Sequence, residues 1–317
     1  MTERFIIGTR GSDLALWQAN FVKNSLEEQF PDFNFEIKII HTTGDEVLDV
    51  ALSKIGDKGL FTRQIENELL KGGIDLAVHS LKDLQTEQPE GLAIGAVCKR
   101  EIPNDVFISK NGASIDDLPE GAVVATGSLR RRSQLLHYRS DLKIAEIRGN
   151  LPTRFRKFDE SELDGMILAY AGIYRLSFEE RISQIIPFKV MLPAVGQGAV
   201  AVEIRTDDPR AAEVVGRLNH AETYTCITSE RAFLRRLEGG CQVPIGAHAT
   251  LEGEKVSLEG MVGTLDGTVV FREAVSGRVE NAEALGTELA NSLIEMGARE
   301  LLDTTRAESD SSTKAAI

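Results

Sequence analysis

One cysteine of this chain stands on a glycine-rich turn. Gly239 and Gly240 precede Cys241, and Pro244 and Gly246 follow it in the run Gly-Gly-Cys-Gln-Val-Pro-Ile-Gly. Glycine adopts backbone angles that other residues resist, and proline limits how regular structure resumes. The sequence therefore predicts a presented thiol that is open to covalent modification. The alternative is a small, half-buried hydrophobe, because free cysteines are often buried and inert.

A carboxylate next to a lysine is the second chemical candidate. A predicted strand over residues 74–78 runs into His79-Ser80-Leu81-Lys82-Asp83. In parallel α/β sheets, ligands bind beyond the carboxyl ends of the strands, where Ser80, Lys82 and Asp83 would lie. Asp83 is the best candidate for a general acid or base, because Lys82 gives it a positioned neighbour. An ordinary turn-forming aspartate is the alternative.

Arginine is concentrated in one segment of an otherwise acidic chain. The net charge is −13, yet residues 130–157 carry seven arginines and two lysines against two acidic residues. The arginines recur at predicted strand-to-helix turns, and a planar guanidinium offers paired donors to a planar carboxylate. This pattern predicts a concave site for a small molecule with several carboxylates. Solvated arginines on helix surfaces are the alternative reading.

The N-terminal segment suggests a further anion site. A short buried strand, residues 5–8, precedes a helical pattern that begins at Asp13, and Ser12 is a plausible helix N-cap. Arg10 would then stand at a strand end beside unpaired helix amides, which bind anions readily. The alternative is an exposed arginine in a connecting turn.

Composition narrows the class of protein. A chain of 317 residues with 42% hydrophobic and 27% charged residues is typical of a globular protein of two or three domains. The negative charge argues against a nucleic-acid or anionic-membrane binder, and the sequence has no apolar run long enough for a membrane helix. The three cysteines, which include Cys98 and Cys226, form no CxxC pair, so we expect reduced thiols and a cytoplasmic location.

The order of predicted elements supplies the framework. Two series of alternating strands and helices predict two α/β domains, and three alternating strands followed by a helix predict a small α+β domain that carries Cys241. We predict domain 1 over residues 1–99 with 199–216, domain 2 over 105–193, domain 3 over 217–305 and a flexible tail over 306–317.

Two connecting segments draw further interpretation. The stretch from Thr42 to Gly59 is polar and weakly periodic, with Lys58 near its end. It is typical of a mobile lid or of an ordinary surface loop. The turn Pro193–Gly198 precedes a predicted strand, but it lacks the lysine of a phosphate-binding loop, and its GxG alone is weak evidence for a dinucleotide site.

Six motifs, taken together, resemble one family, porphobilinogen deaminase, also called hydroxymethylbilane synthase. They occur in the family's order from residue 5 to about residue 300, and the ordered set is highly specific although each motif alone is weak. The motifs are Gly8-Thr9-Arg10-Gly11-Ser12, His79-Ser80-Leu81-Lys82-Asp83, Gly127-Ser128-Leu129-Arg130-Arg131, Arg148-Gly149-Asn150, Pro193-Ala194-Val195-Gly196-Gln197-Gly198 and Gly240-Cys241-Gln242-Val243-Pro244-Ile245-Gly246.

The resemblance implies a fold and an activity. The fold would be two periplasmic-binding-protein-like α/β domains around a cleft, plus a small α+β C-terminal domain. Cys241 would carry a dipyrromethane cofactor through a thioether, on which four porphobilinogen units are added with loss of ammonia. Hydrolysis would then release 1-hydroxymethylbilane, a step of tetrapyrrole and heme biosynthesis. Asp83 would help to protonate the leaving amine and would stabilise cationic intermediates.

The resemblance also assigns the remaining site residues. The cationic residues that would hold acetate and propionate side chains are Arg10, Lys82, Arg130, Arg131, Arg148, Arg154 and Arg175. The residues that would assist them are Ser12, Lys58, Ser80, Thr126, Ser128 and Gln197. The chain departs from the family's common pattern at Gln85, where proline is usual, and at Gly127, where serine is usual. Neither change removes a charged group of the predicted site.

Two other classes of function stay open at this point. A non-catalytic carboxylate-binding protein would suit the same architecture and arginines, but it would need neither Asp83 nor Cys241. A metalloenzyme is the second alternative, although the five scattered histidines show no ligand spacing and we expect no metal. We expect porphobilinogen and the growing polypyrrole as ligands, no nucleic-acid or membrane partner, and a monomer.

Overall fold

The computed structural model describes residues 3–46, 59–238 and 243–305. Lys58, Cys241, most of the predicted lid and the predicted tail therefore lie outside the described residues. The chain divides into two units. Among the described residues, the first unit contains 3–46, 59–101 and 198–224, and the second contains 102–197 and 225–305.

The described strands of the first unit form one mixed sheet in the order β2-β1-β3-β10-β4. Strand β1 is parallel to β2 and β3, whereas β10 is antiparallel to both β3 and β4. The strand bounds are β1 Arg4–Thr9, β2 Asn34–Ile39, β3 Leu76–Ser80, β4 Leu92–Val97 and β10 Val200–Arg205.

Helices pack on both faces of this sheet. Their bounds are α1 Asp13–Gln29, α2 Thr43–Glu46, α3 Arg63–Leu70 and α7 Pro209–Gly216. The predicted N-cap of α1 is confirmed, because the Ser12 Oγ accepts a hydrogen bond from the Ala15 amide at 3.4 Å. The apolar stripe of α1 is buried against the sheet, as its helical spacing predicts.

The first sheet of the second unit repeats the same plan. Its order is β7-β6-β8-β5-β9, with β6 parallel to β7 and β8, and with β5 antiparallel to β8 and β9. In each sheet, three adjacent strands are parallel, and the one that comes earliest in the chain lies between the other two. An antiparallel strand and then an edge strand lie beside these three. The bounds are β5 Asp105–Ser109, β6 Val123–Ala125, β7 Lys143–Ala145, β8 Gly165–Ala169, β9 Gln184–Ile185, α4 Leu129–Tyr138, α5 Leu151–Asp159 and α6 Tyr170–Arg175.

A three-stranded antiparallel sheet, β11-β12-β13, completes the second unit. Phe233 and Leu289, from the two helices beside it, approach Gly260 so closely that a Cβ there would lie 2.6 Å from the Phe233 ring. The Ala247 amide donates to the Pro193 carbonyl at 3.1 Å and joins this sheet to the segment after β9. The bounds are α8 Ala221–Arg236, β11 Ile245–Glu252, β12 Lys255–Gly263, β13 Val270–Arg278 and α9 Ala282–Glu295.

The predicted fold class, two α/β domains and a small α+β domain, is confirmed by these three sheets. The predicted cleft concerns the placement of one unit against the other, and it stays a prediction, as do the proposed domain boundaries. No helix among the described residues combines the length and the apolar composition that a membrane crossing requires.

Candidate active site

The Asp83 turn begins where β3 ends. Residues Leu81–Asp83 form one turn of 3-10 helix, and the Leu81 amide donates to the Ala199 carbonyl at 3.0 Å, which fixes the turn to the start of β10. Asp83 itself is half-buried. Its carboxylate makes no hydrogen bond or ion pair with any residue that the structure describes. The carboxylate is therefore available to a ligand.

A small cavity of about 70 Å³ joins the turn after β3 to the turn after β1. These strands are adjacent and parallel, so the segments that follow them meet at one edge of the sheet. The structure thus brings four predicted site residues to one place. The polar side chains that line the cavity are Arg10, Ser12, Gln18, Thr62, His79, Ser80 and Asp83.

Phe61 and Gln18 line this cavity, and the sequence reasoning missed both of them. The Arg10 guanidinium lies over the ring of Phe61, 4.1 Å from its centre, in a cation–π contact. Gln18 is 2% exposed and donates to the Ser80 Oγ at 2.8 Å. A signal for Gln18 was present, because this amide interrupts the apolar face of α1. Phe61 carried no comparable signal.

In the second unit, Arg130 and Arg131 converge on a carboxylate that the sequence reasoning also missed. The Arg130 NH1 donates to Asp105 Oδ2 at 2.7 Å and to the Leu192 carbonyl at 2.6 Å. The Arg131 Nε and NH2 donate together to Asp105 Oδ1 at 3.0 and 2.7 Å. Both arginines and Asp105 are buried.

The Asp105 carboxylate is ionised in this setting. Burial alone would raise its pKa, but the charges of Arg130 and Arg131 outweigh burial and hold the pKa well below its usual range. Gln197 adds a further hydrogen bond from its Nε2 to Asp105 Oδ1 at 2.9 Å. The predicted site residues Arg130, Arg131 and Gln197 thus share one internal anion.

The remaining predicted residues of this unit follow parallel strands. Ser128 caps α4, its Oγ accepting from the Arg131 amide, and its own amide donates to the Thr126 Oγ1 at 3.2 Å. Arg148, after β7, pairs with Glu146 at 3.1 Å, and the Arg154 Nε donates to the Gly149 carbonyl at 2.8 Å.

These segments lie side by side because β7, β6 and β8 are adjacent and parallel. Arg175, which is 8% exposed, ends α6 after β8. Gly149 has a φ of +115°, and a Cβ there would lie 2.6 Å from Thr153, so the Arg148-Gly149-Asn150 turn needs glycine. Gly127 is different, because a Cβ would meet only the Ile147 carbonyl at 3.4 Å. The departure from the family's serine therefore leaves the turn intact.

Lys82 is half-buried in the same turn as Asp83, but it is not among the residues that line the small cavity. Cys98 and Cys226 are both buried. The described residues hold no group of three or more His, Cys, Asp or Glu side chains arranged for a metal ion.

Comparison with known proteins identifies the family. The family model described as porphobilinogen deaminase, dipyromethane cofactor binding domain, matches residues 5–213, and the model described as porphobilinogen deaminase, C-terminal domain, matches residues 224–295. A porphobilinogen deaminase of Pelotomaculum thermopropionicum is 52% identical over 97% of this chain and 99% of its own length. Those of Chlorobium phaeobacteroides and Chlorobaculum tepidum are 53% and 54% identical over 95% of this chain and 98% of theirs. The chain belongs to the porphobilinogen deaminase family.

Proposed function

We propose that the chain is a hydroxymethylbilane synthase, a transferase. It joins four porphobilinogen units head to tail with loss of ammonia, on a dipyrromethane attached to Cys241, and releases 1-hydroxymethylbilane by hydrolysis. Family membership supports the activity and the cofactor. One observation carries the catalytic role of Asp83. Its half-buried carboxylate lines a cavity beside Arg10 and Ser12 and makes no hydrogen bond or ion pair with the described residues.

The donor set fits a dipyrromethane, whose acetate and propionate groups need cations and hydroxyl donors. Two helix N-termini, at Ser12 and Ser128, add backbone amides that favour anions. When bound, the cofactor supplies the pyrrole position to which the first substrate unit is added. The residues that would hold it and the substrate are Arg10, Ser12, Lys58, Ser80, Lys82, Thr126, Ser128, Arg130, Arg131, Arg148, Arg154, Arg175 and Gln197.

Asp83 has two tasks in this proposal. Its carboxyl group gives a proton to the amine that leaves as ammonia, and its carboxylate is a fixed counter-charge to the cation that the substrate becomes. A preorganised charge of this kind acts mainly in the transition state, where charge develops. Arg10 keeps its guanidinium on the Phe61 ring and so stays in the cavity as a carboxylate anchor.

The arginines of the second unit divide by their contacts. Arg148 and Arg154 are half-buried and bind substrate carboxylates with paired donors. Arg130 and Arg131 share Asp105 and keep further N–H groups for a ligand carboxylate. We also propose that the protein is a cytoplasmic monomer with the domain boundaries given above, and that it has no nucleic-acid or membrane partner.

Intact mass spectrometry of the purified protein tests the attachment. The mass should exceed the sequence mass by two pyrrole units, and Cys241→Ala should lose both the increment and the activity. Cys98→Ala and Cys226→Ala are matched controls, because both thiols are buried, and these variants should keep the increment and nearly all turnover. An active wild-type protein with unmodified mass would refute the attachment. Loss of the mass increment in either control would show that the cofactor is attached to that cysteine and not to Cys241.

A further inference from the structure

Three ionisable side chains are buried together behind the wall of the Asp83 cavity. Glu203 on β10 is fully buried, His79 on β3 is 5% exposed and Glu66 on α3 is 4% exposed. In the antiparallel ladder, Glu203 pairs with Ala77 and Ala201 pairs with His79. The side chains of His79 and Glu203 therefore project from the same face of the sheet, as diagonal neighbours.

Glu203 is poorly satisfied at this position. Neither of its carboxylate oxygens accepts a hydrogen bond from any residue that the structure describes. The His79 imidazole lies beside it, with Nε2 at 3.3 Å from Glu203 Oε2. This distance is within ion-pair range, although the geometry is not that of a hydrogen bond. A buried carboxylate is strongly unfavourable unless it is paired, so His79 is its counterpart.

Glu66 is the third ionisable group of this cluster. Burial raises the pKa of Glu66 and the charge of Glu203 adds to this effect, while the charges of His79 and Arg63 oppose it. The neutral form is therefore more favoured at Glu66 than in an exposed glutamate. The charged groups around the cluster are Arg63, which acts on Glu66 from α3, and Arg10 and Asp83, which line the same cavity as His79.

Stability of the fold does not by itself require this cluster. A well-packed apolar pair commonly stabilises a protein interior as well as a buried ion pair does, and apolar side chains such as Ile65 and Ala77 surround the site. His79 lines the cavity that Asp83 also lines, and the next residue, Ser80, begins the Asp83 turn. Incompletely satisfied buried groups beside a cavity are typical of functional sites.

We propose that Glu203 and His79 are positioning residues for Asp83. Glu203 holds the His79 imidazole in the wall of the cavity, and the imidazole sets the electrostatic environment in which the Asp83 carboxylate acts. The proposal rests on the role assigned to Asp83 above. It assigns no contact with substrate to Glu203 and no role to Glu66 beyond packing.

Paired amide substitutions test the proposal. Glu203→Gln should lower kcat by about tenfold. This is the lower end of the loss of about 10- to 100-fold that follows when a residue that orients a metal-binding side chain is removed, which is the comparable case. It should change KM less than kcat and should alter the pH profile of kcat. Glu66→Gln is the matched control, because Glu66 is buried in the same cluster but does not line the Asp83 cavity. That variant should keep kcat within about twofold of wild type, with the same pH profile.

Nuclear magnetic resonance gives a readout that needs no turnover. In protein labelled with 15N-histidine, the His79 signal is assigned by its loss in His79→Gln. The imidazole 15N chemical shifts of His79, measured at one pH, should be the same in the wild type and in Glu66→Gln. They should differ in Glu203→Gln, which removes the carboxylate that lies 3.3 Å from Nε2. Equal shifts in all three proteins would overturn the contact on which the proposal depends.

A double apolar variant separates positioning from stability. His79→Leu combined with Glu203→Met should keep or raise Tm, because it replaces a buried pair with apolar groups of similar volume. Its kcat should nevertheless fall at least as far as that of Glu203→Gln. A double variant with wild-type kcat and pH profile would show that the cluster is only structural. If wild-type protein did not consume porphobilinogen at all, the proposed function would fail, whereas the His79–Glu203 contact would still be decided by the resonance measurement.

Discussion

The two mixed sheets have the same arrangement of strands, but the aspartates Asp83 and Asp105 differ in burial and in hydrogen-bond partners. Asp83, at the end of β3, is half-buried, and its carboxylate makes no hydrogen bond or ion pair with the residues that the structure describes. Asp105, at the start of β5, is fully buried and accepts hydrogen bonds from two arginines and a glutamine. The difference shows that the partners of a carboxylate, more than its place in the fold, decide whether it is available for chemistry.

The largest expected effect concerns Asp105. Asp105→Asn should lower the free energy of unfolding by about 3–5 kcal/mol, because it leaves two buried guanidinium groups without their counter-charge. Chemical denaturation measures the change. Asp159→Asn is the matched control, since its pair with Arg181 is exposed and should contribute at most about 1 kcal/mol. Equal stability of the two variants would contradict the structural role of Asp105.

The next effect concerns Asp83 and should be chemical. Asp83→Asn should keep Tm and still bind substrate, but kcat should fall by at least about a hundredfold, because the amide has no charge and cannot transfer a proton. Asp83→Glu, which keeps the charge on a longer arm, should lie between the two. Steady-state turnover with thermal unfolding as the folding control measures both. Wild-type turnover of Asp83→Asn would return this residue to the turn-former reading.

Lysine substitutions separate charge from geometry at the arginines. Arg148→Lys should reduce kcat/KM about tenfold without changing Tm, because it keeps the charge but loses the paired donors. Arg131→Lys should reduce kcat/KM to a similar degree and should also lower Tm, because it loses the fork on Asp105. An unchanged kcat/KM in both variants would support the solvated-arginine reading.

The smallest expected effect is the change with pH in the stability difference between wild type and Asp105→Asn. The pKa of Asp105 is lower in the folded state than its unfolded value of about 3.9. Its contribution to stability is therefore complete above the unfolded value and is lost as the pH falls toward the folded one. The stability gap between wild type and Asp105→Asn should be constant from about pH 8 to pH 5 and should narrow below about pH 4. Denaturation at a series of pH values checks this, and a gap that widened in acid would contradict it.

Local features of the site could be predicted from the sequence. The cap at Ser12 was predicted because a serine before a helical pattern satisfies nearby amides, and the same pattern holds at Ser128. The strand ends that carry Asp83 and Arg148 were readable from alternating apolar runs and turn residues.

The tertiary partners could not be predicted in the same way. Asp105 lies 25 positions before Arg130, and the local sequence around neither residue indicates that the two are in contact. Glu203 did leave a signal, since a charged residue in the middle of an apolar strand needs a buried partner. Its identity as His79 depends on the pairing of β10 with β3, which is a property of the whole sheet.

The position of β10 also determines when the first sheet can be completed during synthesis of the chain. This strand lies between β3 and β4 in the first sheet, yet it follows β9 in the chain. While the ribosome makes the segment from residue 102 to residue 197, the inner edges of β3 and β4 have no partner, and unpaired apolar edges are prone to aggregation. The β3 end that carries Asp83 is fixed only when Ala199 and Val200 emerge, so the first sheet is completed only after residues 102–197 have been made.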